Sequence, residues 1–100
     1  MPHEKLIRDK IPESAKRRGE TLNTRIAEKA ELSALLRDKL LEEVREYLKE
    51  PSAEELADIL EVVYALSMTH RVPPGQLEIL RAEKAEANGQ FEDRIVLILD

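Results

Sequence analysis

Five carboxylates on two successive predicted helices are the residues best placed to do chemistry. Glu42, Glu43 and Glu46 lie in LLEEVREYL, and Glu55 and Asp58 lie in EELADILEVV. Within each stretch two of the acids are three residues apart, a spacing that stacks side chains on one helical face. Like charges so placed repel unless a cation sits between them. Only four residues, 49–52, separate the two helices, so the helices are expected to be antiparallel neighbours. Their acids then converge on one point. On a helical wheel Glu43 falls inside the apolar stripe with Leu36, Leu40 and Tyr47, and Glu46 borders it. A carboxylate there needs a basic partner or a metal.

The donor set decides which metal. Every candidate ligand is an oxygen, which favours Mg²⁺, with Mn²⁺ as its stand-in and Ca²⁺ as a further option. His3 and His70 fit neither an ExxH nor an HExxH pattern, and no cysteine is present to make a thiolate site, a cysteine nucleophile or a disulfide. Plainer roles compete for each acid. Glu55 is also the capping-box partner of Ser52, Glu42 points away from the stripe centre toward solvent, and Lys39 and Arg45 have the spacing of ordinary helical ion-pair partners.

The elements that must position these residues are helical. A 37% charged, 3% aromatic composition with Leu, Ile, Val and Ala as the apolar stock fits an all-α domain. One hundred residues make one domain. Pro12 opens a short helix, 12–18, which Gly19 ends. A long helix over about 28–49 carries the stripe Leu32, Leu35, Leu36, Leu40, Val44, Tyr47 and Leu48. Pro51 breaks it, and Ser52 caps the next helix, which runs to about residue 70. Leu56, Ile59, Leu60, Val62, Val63, Leu66 and Met68 cover most of that helix's circumference, so it is expected to be central and the most buried, and to call for a second copy of the chain. A third long helix covers about 75–87, ended by Asn88-Gly89. Residues 21–26 alternate weakly as a strand would. The apolar tail 94–99, RIVLIL, either pairs with them as a small β pair or packs on the helices. Tyr47, Tyr64 and Phe91 are expected in the core.

Composition also excludes partners. A net charge of −5 and three aromatics disfavour nucleic acid. No segment reaches membrane-spanning length, and the charged opening MPHEKLIRDK has no apolar leader core. A cytoplasmic protein is expected.

In their order and spacing, KLIRDKIPE, KLLEEVREYL, EELADILEVVYAL and AEKAEANGQFEDRIVL resemble the all-α nucleoside triphosphate pyrophosphohydrolases, the MazG-like superfamily that includes phosphoribosyl-ATP pyrophosphohydrolase. The resemblance is to its small single-domain branch and spans most of the chain, with a tighter turn between Glu46 and Glu55 than in many members. It implies a MazG-like bundle of antiparallel helices that cleaves a nucleotide between its α and β phosphates, releasing a monophosphate and pyrophosphate in a house-cleaning role. It further implies that Glu43, Glu46, Glu55 and Asp58 bind Mg²⁺ and that Glu42, with Glu43, serves the attacking water. Arg8 and Lys10 from the N-terminal arm, Lys39, and Lys84 with Asn88 are the candidate substrate contacts. Two other functions fit the same residues: a phosphoribosyl-ATP hydrolase of histidine synthesis, and a non-catalytic acidic module whose carboxylates pair with Lys and Arg.

Overall fold

The computed structural model describes residues 3–99. Four helices follow one another: α1, Ile11–Arg17; α2, Lys29–Lys49; α3, Ala53–Thr69; and α4, Pro74–Asn88. The architecture is all-α, and no strand forms among the described residues.

Local chemistry sets the boundaries. Pro12 lies in the first turn of α1, where its missing N–H costs nothing. Gly19, at φ 85, takes the left-handed conformation beyond its end. At the start of α2 the Glu28 N–H donates to Glu31 Oε2 at 2.8 Å, satisfying a donor that has no helical partner. Ser52 caps α3 by accepting from the Glu55 N–H at 3.1 Å. Pro73 caps α4 and Pro74 begins it, while Gly89, at φ 83, follows its last residue.

Helices α2 and α3 form a hairpin across Glu50, Pro51 and Ser52, and α4 packs on α3. The core between them is thin. Among the described residues only Ala15, Leu36 and Val62 are buried hydrophobics, and no large side chain is fully buried. Helix α3 does lie between the other two long helices, but it is not buried all round. Leu56, Leu60, Tyr64 and Met68, four residues apart in succession, make a stripe 36–56% exposed. The second apolar face exists as the sequence implies, and it stays exposed among the described residues.

The tail is placed differently from either expectation. It neither pairs with 21–26 nor packs on a helix, and Ile95 to Leu99 are each 78% exposed or more. The apolar run thus stays uncovered, as does the exposed stripe of α3. Phe91, expected in the core, is 97% exposed as well. With the tail extended, the radius of gyration is 17.4 Å, against about 13 Å for a compact chain of this length.

Candidate metal centre

The hairpin brings acids to one level. Glu43 lies six residues before the end of α2, and Asp58 lies five after the start of α3. At about 1.5 Å of rise per residue, each sits roughly 8–9 Å from the turn. Glu55 is one helical turn nearer to it, on the same face as Asp58. Glu43, Glu55 and Asp58 thereby place one carboxylate oxygen each within 4.8 Å of one another. Opposed oxygens around an octahedral Mg²⁺ are about 4.1 Å apart, so small rotamer shifts would close this set on a hard divalent ion.

Two of the three carboxylates have a basic partner. Lys39 Nζ lies 3.4 Å from Glu43 Oε1 in a pair whose side chains are only 17% and 13% exposed. Arg8 Nη2 lies 2.7 Å from Asp58 Oδ1, reaching across from the N-terminal arm. Glu55 has none. Its Oε2 is sealed from solvent and accepts no hydrogen bond. Only half of the capping box forms: Ser52 accepts from the Glu55 backbone, while the Glu55 side chain turns to the cluster. Burial pushes its carboxyl above the usual range, and the neighbouring charges of Asp58, Glu43 and Glu46 push it the same way. A carboxylate oxygen without a partner beside two other carboxylates can be satisfied by a cation, or by a proton shared with Glu43.

The remaining expected residues distribute around this centre. Glu46 is exposed and stands outside the group of three, although its charge still acts on Glu55. Glu42 is held between Lys5 Nζ at 3.0 Å and Lys39 Nζ at 3.5 Å. Its hydrogen bond from Lys5 holds its carboxyl below the usual range, against a smaller opposing effect of burial. Glu42, Glu46, Lys39 and Arg45 line one side of a cleft of about 550 Å³, with His3, Glu4 and Lys5 of the arm on the other. Lys10 is exposed at the N-cap of α1. Lys84 and Asn88 are exposed on α4, outside that cleft. His70, at the end of α3, and His3 are both exposed.

No family model, curated protein or solved structure matches this chain. The site therefore stands on its own geometry.

Sequence reasoning missed Lys5 and the pairing of the arm. Lys5 meets Glu42 across 37 residues and Arg8 meets Asp58 across 50. The only signal for this was the charge alternation of residues 5–11, which marks an arm but not its destination.

Proposed function

We propose that the chain is a Mg²⁺-dependent nucleotide pyrophosphohydrolase of the MazG-like kind, acting on the α–β phosphoanhydride of a nucleoside triphosphate. The observation that carries this reading is the convergence of Glu43, Glu55 and Asp58 around a carboxylate oxygen with no partner. Three oxygen donors of this type fit Mg²⁺ or Mn²⁺, and the order of motifs along the chain agrees. A triphosphate is itself anionic, so acids serve it only through a cation. When bound, Mg²⁺ would neutralise phosphate oxygens and stabilise charge developing on the leaving pyrophosphate.

The chain's own groups have separate tasks. Glu43, Glu55 and Asp58 would hold the ion. Glu42, kept anionic by Lys5 and Lys39, would accept a hydrogen bond from the attacking water and orient it, with Glu43 as the neighbouring acceptor. The water oxygen would bond to the α phosphorus while its proton passes to Glu42, and the bond to the α–β bridging oxygen would break, that oxygen leaving with pyrophosphate. Lys39 and Arg8 are the cations already paired with the cluster, and Lys10 would reach the substrate from the N-terminal arm. Lys84 and Asn88 on α4 would serve only if a second copy brought them to the site.

A second copy is part of the proposal. The stripe Leu56, Leu60, Tyr64 and Met68 and the apolar tail together expose more hydrophobic surface than a 100-residue monomer ordinarily leaves. A homodimer would cover them. The ion pairs on Glu42, Glu43 and Asp58 also favour a second reading, a non-catalytic acidic module.

Pyrophosphate release from a panel of nucleoside triphosphates, with Mg²⁺, Mn²⁺ or EDTA, separates these readings. Metal-dependent release that is lost in Glu43→Gln and Asp58→Asn, with folding retained, is expected. Release from phosphoribosyl-ATP alone would select the specialised hydrolase. No release from any substrate would refute the enzyme.

A further inference from the structure

We propose that the Arg8 side chain is a strap that a divalent cation displaces: Arg8 occupies Asp58 until a metal enters the Glu43–Glu55–Asp58 cluster, and the freed guanidinium then serves the substrate's phosphates. This rests on the metal site proposed above and adds an order of events to it.

The arm has little else to hold it. Residues 3–8 form no helix or strand. Leu6 and Ile7 are half-buried, and three ion pairs do the rest: Glu4 with Arg25 at 3.0 Å, Lys5 with Glu42 at 3.0 Å, and Arg8 with Asp58 at 2.7 Å. Of these only Arg8 touches the cluster. Its bond runs from one guanidinium nitrogen to one carboxylate oxygen, between side chains 54% and 39% exposed. Exposed ion pairs of this kind contribute little to stability. A divalent ion meeting three carboxylates at once is the stronger competitor for Asp58.

The three attachments are unequal in consequence. Lys5 pairs with Glu42, outside the cluster, so metal entry leaves the arm tethered there. On the other side, the Ile11 N–H donates to the Arg8 carbonyl at 3.1 Å and ties residue 8 to the start of α1. Arg8 is thus held at both flanks and freed only at its side chain. Once Asp58 is engaged elsewhere, the guanidinium stands free beside a divalent ion that itself attracts phosphate oxygens. Its planar fork of donors matches phosphate oxygens better than a lysine would. The same arginine therefore substitutes for the cation in the resting protein and acts as a positioning residue for the anion in the loaded one.

Two measurements on the full chain test this. Mn²⁺ binding is followed by calorimetry in the unaltered protein and in Arg8→Ala. The side-chain Nε–Hε signal of Arg8, assigned by its loss in Arg8→Lys, is followed by NMR with and without Mg²⁺. The expected result is an Arg8 signal that shifts and exchanges faster with water once Mg²⁺ is added, and Mn²⁺ binding about three- to tenfold tighter in Arg8→Ala, where the competing cation is gone. An Arg8 signal unchanged by bound Mg²⁺, or equal or weaker Mn²⁺ binding in Arg8→Ala, overturns the strap while leaving the metal site standing. No Mn²⁺ binding to either protein removes the metal site and the strap together.

Discussion

Replacing Glu55 by glutamine sets two effects of one carboxylate against each other. Without metal, Glu55 has one oxygen sealed from water and without a partner, and three like charges nearby. Burial first, and those charges after it, raise its pKa in the folded chain. The fold is accordingly favoured where Glu55 is protonated, below its ordinary value of about 4.3. That advantage is lost as the pH rises through the raised value. Glutamine has nearly the same size and carries no charge at any pH. Glu55→Gln should melt above the unaltered protein at pH 8, and the difference should shrink toward zero near pH 4. Magnesium should reverse the ranking. At a free ion concentration about 100 times its dissociation constant, binding to the folded state alone adds about 2.7 kcal/mol. For a chain of 100 residues that corresponds to a rise of roughly 10–15 °C in Tm. The variant, short of one charged oxygen in three, should lose most of it. Melts by circular dichroism across pH 4–8, with and without Mg²⁺, supply all four comparisons. A variant that melts lower at pH 8 without metal, or an equal Mg²⁺ rise in both proteins, would refute the reasoning.

Lys39→Met should destabilise the metal-free protein by about 1–2 kcal/mol, because it leaves the mostly covered Glu43 carboxylate without its cation; urea unfolding at pH 7 measures it, and an unchanged midpoint would show the pair to be inert. Arg25 bonds to both Glu4 and Glu31, and its hydrogen bond, ahead of that from the Glu28 N–H, brings the Glu31 carboxyl down to about 2. A depressed carboxyl stabilises above its ordinary value and ceases to as the pH falls toward 2, so Arg25→Ala should melt lower than the unaltered protein at pH 6 and match it near pH 2. A gap independent of pH would show that Arg25 acts through packing instead. Leu60→Glu, on the exposed stripe of α3, should convert a dimer to a species of the 11.5 kDa chain mass in light scattering; an unaltered protein already at that mass would remove the dimer.

The helices were legible because their ends are marked by residues with few options. Pro12, Pro51 with Ser52, Pro73 with Pro74, and Gly89 each fix one boundary, and the structure places α1 to α4 within a residue or two of the positions they imply. The acidic convergence was legible in part. A turn of about four residues leaves two helices no arrangement but antiparallel, and Glu43, Glu55 and Asp58 meet as expected, while Glu46, expected with them, is exposed and stands outside. What pairs with those acids was not legible. Arg8 and Lys5 are long, exposed side chains on an arm without periodicity, and nothing in their spacing names Asp58 or Glu42 as their destinations. The tail 94–99 failed differently. Its pattern states that it must be covered but not by what, and Arg94, at φ 56, turns the chain just before it. The second face of α3 carries the same information, since it records a demand for burial that this chain alone leaves unmet.

The most direct test of the central claim is a crystal grown or soaked with Mn²⁺ and measured at a wavelength where manganese scatters anomalously. An anomalous peak bonded to Glu43, Glu55 and Asp58, with the Arg8 guanidinium moved off Asp58, is the expected result. Well-ordered carboxylates at saturating Mn²⁺ with no peak among them, Arg8 still on Asp58, would contradict it.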